Sequence, residues 1–397
     1  MTDSTIQATA PGPSPDRRPA GRRTRPEIQA LRAVAVAAVV LYHFWPPVVT
    51  GGYVGVDVFF AISGFLITGH LLREVAATDR IGLAQFWARR ARRLLPASLL
   101  VLLVTAIAVL VWVPSIFWLP FFRETIASAL YVENWTLAAD SVDYLAANAV
   151  PTAVQHYWSL SAEEQFYLIW PLVILAGLWA STRVRRFSRR RVIFVVLSVV
   201  TAASLAASVA LTTSSPSVAY FITPTRAWEF GLGGLLALAL GTFDEGMGRR
   251  IGQRIDKVRP ILAWAGWIAI AYAVFRFSAA TPFPGYTALL PVGGALLVIA
   301  AGSPARWWAP TSIVGIRPVQ WVGDVSYSIY LWHWPLLIVA PYVVGHASLT
   351  LIEKVALLAL TVVLAWATKR WVEDPVRRAR LFTARKPRWT FWPPSWQ

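Results

Sequence analysis

Residues 28–46 read IQALRAVAVAAVVLYHFWP, an apolar run in which Gln29, Arg32 and His43 are the strongly polar members. An α-helix needs about 20 such residues to cross the bilayer core, because inside lipid every backbone polar group must bond within the segment. The stretch therefore reads as a membrane helix that carries two ionisable groups. Runs of the same kind recur at 54–72, 95–114, 160–180, 192–212, 219–240, 260–276, 285–302, 326–344 and 350–371. The expected fold is an all-α polytopic membrane protein with about ten transmembrane helices. Composition points the same way. Of 397 residues 56% are apolar and 14% charged, and the mean hydropathy is +0.53, more apolar surface than one soluble core would use.

The charge pattern orients the spans. With a cytoplasmic N-terminus, 32 of the 37 Lys and Arg residues fall in inside segments, as the positive-inside rule requires, and both termini are then cytoplasmic. The net charge of +17 would suit phosphate binding in a soluble chain. Here cytoplasmic basic residues facing anionic lipid account for it, so no nucleic-acid partner is expected and membrane lipid is. The expected location is a bacterial inner membrane.

Residues 1–27, rich in Pro, Ser, Thr and Arg, read as a disordered cytoplasmic tail, 28–372 as the transmembrane domain, and 373–397 as a basic, aromatic cytoplasmic tail. No small-residue cleavage site follows the first helix, so it is expected to be retained. The segment 115–159 is the one long outer connection; it either covers an acceptor site or is simply solvated.

Ionisable groups within spans cost several kcal/mol unless paired or hydrated, which makes each a candidate for function. Arg32 and His43 are eleven positions apart, which returns to within about 20° of one helix face and separates them by about 16 Å along the axis. They form one stripe facing the bundle interior, with Arg32 near the cytoplasmic mouth and His43 near the outer end. A neutral imidazole there can serve as general base for a hydroxyl; a hydrogen-bonded interfacial histidine and a snorkelling arginine are the alternative. Arg226 and Glu229, three apart on one helix, can pair in the membrane. Glu163 and Glu164 stand at the outer entrance of a span, and one of them should meet a basic group from another helix. Ser326, Tyr330 and His333 occupy one face of their helix, and His333 is either a second functional histidine or a packing one. His70, His156 and His346 are given no role. The sequence has no cysteine, HExxH, GxSxG or P-loop, so disulfides, zinc hydrolysis, serine hydrolysis and ATP-driven chemistry have no support, and no metal or bound cofactor is expected.

Taken together, RPEIQALRAVAVAAVVLYHF, GGYVGVDVFFAISGFLITGHL, FWARRARRLLP, HYWSLSAEEQFYLIWPL, TRAWEFGLG and SYSIYLWHWPL resemble, in order and spacing, the acyltransferase-3 family of membrane acyltransferases. The resemblance implies an O-acetyltransferase-like enzyme that takes an acyl group, commonly acetyl, from cytoplasmic acyl-CoA and delivers it to a hydroxyl of an extracytoplasmic carbohydrate or glycoconjugate, a cell-envelope polysaccharide modification. It implies that Arg32 and His43 are the essential pair, with His43 catalytic, and that Arg89, Arg90, Arg92 and Arg93 serve the acyl-CoA donor. Asp57, Ser63, Glu164, Arg226, Glu229, Ser326, Tyr330 and His333 are expected in support, with Asp57 or Glu164 the carboxylate that orients His43. Larger members append a periplasmic SGNH-type domain that is not seen here before Gln397, so either the membrane domain completes transfer or a separate periplasmic transferase does. His43 either deprotonates the acceptor or first takes the acyl group itself. A secondary transporter using Arg32, His43, Arg226 and Glu229 as a substrate and proton path is the competing class.

Overall fold

The computed structural model of the protein describes residues 25–142, 151–184, 186–241, 257–304 and 306–378, and among these there is no strand. Seven helices are long and apolar enough to cross a membrane: α1 (Pro26–Phe44), α2 (Gly55–Thr78), α3 (Leu83–Trp112), α6 (Tyr157–Arg183), α7 (Arg189–Ser214), α12 (Arg317–Val344) and α13 (Leu351–Thr368). The chain is a multi-pass membrane protein. Their ends follow local rules. Pro26 opens α1 at a position where its missing N–H costs nothing. Thr350 and Glu353 close a reciprocal capping box at the start of α13. Gly345, at φ +79°, supplies the left-handed residue that stops α12.

The remaining three expected spans are helical; one is interrupted, one is less apolar and one is short. The 219–240 segment breaks at Ile222 into α8 (Pro216–Phe221) and α9 (Thr223–Ala239), and α9 carries the buried Arg226 and Glu229. α10 (Arg259–Arg276) has a basic residue at each end. α11 (Leu289–Ala301) has 13 residues, about 20 Å of helix against a hydrocarbon core of about 30 Å. The connection expected at 115–159 contains α4 (Trp118–Ala129) and α5 (Glu133–Asp140), tied by two hydrogen bonds from Arg123 to Asp140 at 3.0 and 3.1 Å.

Lipid supplies no hydrophobic drive between helices, so close backbone approach does the packing. α2 and α9 show it. A Cβ on Gly64 would lie 1.9 Å from the Phe230 carbonyl oxygen, and one on Gly233 would lie 2.2 Å from that of Ala61. α1 packs against α2 and against α12, which brings the Arg32–His43 stripe and the Ser326–Tyr330–His333 face to one interior.

The bundle continues past the domain boundary expected at residue 372. A π-helical turn, Lys369–Glu373, follows α13, and the Ser328 hydroxyl donates to the buried Glu373 carboxylate, while Lys369 pairs with Asp324 at 2.9 Å. An unpaired carboxylate could not sit there, so the C-terminal turn is part of the fold. At the other end Pro26 and Glu27, expected in the tail, open α1, and the rest of the expected tails, 1–24 and 379–397, lies outside the described residues.

Candidate active site

Two cavities share Val56 and Tyr330 as a common wall. The larger, about 470 Å³, takes its lining from the N-terminal half of α1 (Arg25, Ile28, Gln29, Arg32), from α2 between Val56 and Arg73, and from the start of α3 (Arg90, Arg93). Its arginines are toward one end of the bundle, because consecutive helices run antiparallel. Its charged lining is five guanidinium groups and one carboxylate, Glu163. The Ser63 and Tyr167 hydroxyls both donate to Glu163, and Arg90 stacks on the Tyr167 ring at 4.6 Å, so the carboxylate is committed locally. A net positive cavity with apolar walls (Phe59, Phe60, Ile62) can hold a polyanion attached to an uncharged arm.

The smaller cavity, about 290 Å³, lies toward the opposite end of α1, against Val39, Tyr42 and His43. Aromatic side chains of Tyr53, Trp158, Tyr220, Phe221 and Trp334 surround it. The Nδ1 of His43 is 3.0 Å from Nε2 of His333, with the two rings within 13° of coplanar. His333 Nδ1 is 2.6 Å from the Tyr330 carbonyl, and an oxygen acceptor there requires a proton on that nitrogen. His333 Nε2 is then an acceptor, and His43 Nδ1 must carry the proton between them. The lone pair of His43 is thereby placed on Nε2, the ring atom left for chemistry. Trp334 fixes the other side of His43, its ring 4.5 Å away, and its indole N–H donates to the Thr152 carbonyl at 2.8 Å.

The family model described as an acyltransferase domain (Acyl_transf_3) matches residues 25–370, which takes in both cavities. The chain belongs to this acyltransferase family. Among curated relatives, the peptidoglycan O-acetyltransferase OatA of Listeria monocytogenes is 33% identical over 370 residues, 90% of this chain and 56% of that protein. The O-acetyltransferase OatA of Staphylococcus aureus is 31% identical over 360 residues, 90% of this chain and 58% of its own length. The chain thus spans a little over half the length of these relatives. No solved structure matches it.

The acyltransferase fold gathers some of the expected residues and separates others. Arg32, Ser63, Arg90, Arg93, Ser326 and Tyr330 line the larger cavity, and His43 and Tyr330 the smaller. Arg89 is turned away, bonded to His70 at 3.2 Å and to Glu74 at 3.5 Å, and Arg92 is absent from the lining. On a helix, residues 90 and 93 share a face that 89 and 92 flank. Neither carboxylate expected to orient His43 reaches it. Asp57 pairs with Arg226 at 3.3 Å, and Arg226 with Glu229 at 3.0 Å, all three side chains fully buried. That triad lies under aromatic rings, with the Arg226 guanidinium 5.3–5.7 Å from the centroids of Phe60, Trp158, Tyr220 and Phe283, and one cation between two carboxylates is a structural arrangement. Of the Glu163–Glu164 pair it is Glu163 that lines the cavity. The partner of His43 is His333.

His156, Tyr167, Trp334, Arg25 and Arg73 line the cavities without a site role in the sequence reading, and Glu163 joins them as the lining member of the Glu163–Glu164 pair. A signal existed for the α6 set. His156, Ser159, Glu163 and Tyr167 repeat at intervals of three or four and all line the cavities, the same periodicity that exposes the Arg32–His43 stripe. It is obscured because Ser161, Glu164 and Gln165 interleave with that row in the same polar stretch of α6.

Proposed function

We propose that the protein is a bacterial inner-membrane O-acyltransferase that moves an acetyl group from cytoplasmic acyl-CoA to a hydroxyl of an extracytoplasmic glycan. The observation that carries this is the shared wall of the two cavities: an arginine-rich chamber at one end of the bundle abuts, at Val56 and Tyr330, a chamber that presents His43 at the other. The positive-inside pattern places the arginine chamber on the cytoplasmic side. The CoA phosphates are met by Arg25, Arg73, Arg90 and Arg93 through charge-assisted hydrogen bonds, and the pantetheine arm runs past Arg32 along the apolar wall. The thioester reaches His43 at the shared wall, and the acceptor enters the aromatic chamber from outside. Sugar rings present C–H faces to aromatic side chains and hydroxyls to imidazole nitrogens, so this lining suits a carbohydrate. The relatives' names make cell-wall glycan the first acceptor to try.

His43 Nε2 is the reacting nitrogen. His333, held by the Tyr330 carbonyl, does for His43 what a carboxylate does in a triad: it fixes the tautomer and accepts Nδ1–H as positive charge develops on the ring. The transporter reading has no comparable account of this relay. The test is acetyl transfer from [1-14C]acetyl-CoA to glycan in membranes carrying the full chain. Label appearing in alkali-labile glycan esters supports the reading. Acetyl-CoA left intact by a folded protein, in membranes with acceptor present, rejects it.

A further inference from the structure

The smaller cavity holds a second imidazole to which the proposed reaction has given no task. His156 stands at the N-terminal end of α6 and is 4% exposed. Its Nε2 is 3.2 Å from the Leu331 carbonyl, so the proton sits on Nε2 and the lone pair on Nδ1. That Nδ1 is buried and has no hydrogen-bond partner, although His156 lines the same cavity as His43. A buried polar atom without a partner is rare and costly, and at a cavity wall it marks a place where a ligand donor is meant to sit. The ring is held from several sides. Its own carbonyl accepts from the Tyr330 hydroxyl at 3.0 Å, Tyr330 is 2.6 Å from Ser159, and the ring meets that of His333 edge-on at 5.6 Å. Two imidazoles of opposite tautomer therefore line one chamber: His43 with its lone pair on Nε2, and His156 with an unpartnered, buried Nδ1.

We infer that His156 is a second catalytic residue, the base that takes the proton of the acceptor hydroxyl, while His43 carries the acyl group. The assignment rests on the acyl-transfer reading above. In the first step His43 Nε2 attacks the thioester carbonyl, the C–S bond breaks, and CoA leaves as thiolate. The acyl-imidazolium keeps Nδ1–H bonded to His333. In the second step the acceptor oxygen attacks the acyl carbon as its proton moves to His156 Nδ1. The C–N bond breaks and neutral His43 returns. His156 then releases its proton to water and the thiolate takes one up, so thioester and alcohol become ester and thiol with nothing left over. One imidazole cannot do both jobs, because an acylated Nε2 has no lone pair with which to accept the hydroxyl proton.

His156→Gln separates the roles, since the glutamine amide can keep donating to the Leu331 carbonyl but offers no base at the Nδ1 position. The full chain in proteoliposomes is given [1-14C]acetyl-CoA, and two quantities are followed: CoA released in the first turnover, and steady acetyl transfer to chitotetraose or to water. The variant is expected to keep the first-turnover release, to retain label on the protein, and to lose steady transfer by at least about 100-fold. Hydroxylamine, a nucleophile that needs no base, should discharge the labelled protein. Steady transfer within threefold of wild type overturns the assignment, because the Leu331 bond would then be all that His156 provides. So does loss of the first-turnover release together with transfer. A wild type silent in both measurements removes the acyl-transfer reading itself, and this assignment with it.

Discussion

His43 donates through Nδ1 to His333 Nε2 across 3.0 Å, and His333 in turn donates to the Tyr330 carbonyl, so a main-chain oxygen at the end of two imidazoles decides which nitrogen of His43 can react. His43→Ala removes that nitrogen. Acetyl transfer should fall by at least about 100-fold, the scale of a lost general base or nucleophile, while the detergent-solubilised protein keeps its elution volume and thermal midpoint. Transfer at the wild-type rate would show that another group reacts.

In the proposed mechanism His333 positions His43 and does not itself touch substrate. His333→Ala should lower kcat by about 10- to 100-fold with KM for acetyl-CoA unchanged, because the loss is felt as charge develops on His43 and not in donor binding. His333→Gln, whose amide oxygen can still accept from His43 Nδ1, should recover much of that loss. Equal defects in both variants would assign His333 to packing alone.

The larger cavity, proposed to take the donor, makes a residue-level distinction within one basic run. Arg90→Ala combined with Arg93→Ala should raise KM for acetyl-CoA by 10-fold or more, at about 1.5–3 kcal/mol for each charge-assisted bond lost. Arg89→Ala should leave it within twofold, since Arg89 is engaged with His70 and Glu74. Initial rates against acetyl-CoA concentration decide it, and the reverse ranking would move the phosphates to another face of α3.

Gly64→Ala tests the α2–α9 contact. With the added methyl 1.9 Å from a backbone oxygen, the helices must separate, at a cost of about 1–3 kcal/mol for overpacking. A lower thermal midpoint in detergent and reduced yield are expected, and an unchanged midpoint would mean that the two helices slide apart freely.

The connection that carries α4 and α5 should respond to pH. Glu133 is fully buried, and burial first, with the neighbouring Glu124 carboxylate adding to it, pushes its carboxyl up to about 10. A carboxyl whose folded pKa is raised binds more protons folded than unfolded. Stability from this group is therefore present at acid pH and falls as pH rises from its unfolded value of about 4.3 towards 10. Glu133→Gln should flatten that slope and slow proteolysis around α4 and α5 above pH 8. An unaltered pH dependence in the variant would place the slope elsewhere.

The sequence by itself determined the class of fold. Apolar runs, basic segments on one side and Pro or Gly at helix ends are local properties, and the bilayer enforces them one helix at a time, so α1, α6, α7, α12 and α13 lie close to where they are expected. Helical periodicity also placed Arg32 and His43 on one stripe, and Ser326, Tyr330 and His333 on another. What periodicity cannot do is pair stripes. Asp57 was an available partner for His43 until the fold paired it with Arg226, and His333 took the place because α1 packs on α12. Whether Arg89 or Arg90 faces the larger cavity depends on how α3 is rotated against its neighbours, and that follows from packing across helices far apart in the chain. The same holds for α9: Arg226 and Glu229 can pair within that helix, but only the tertiary structure brings Asp57 from α2 against Arg226 to make the buried triad. The His43–His333 bond, joining residues 290 positions apart, was decided by the tertiary structure alone.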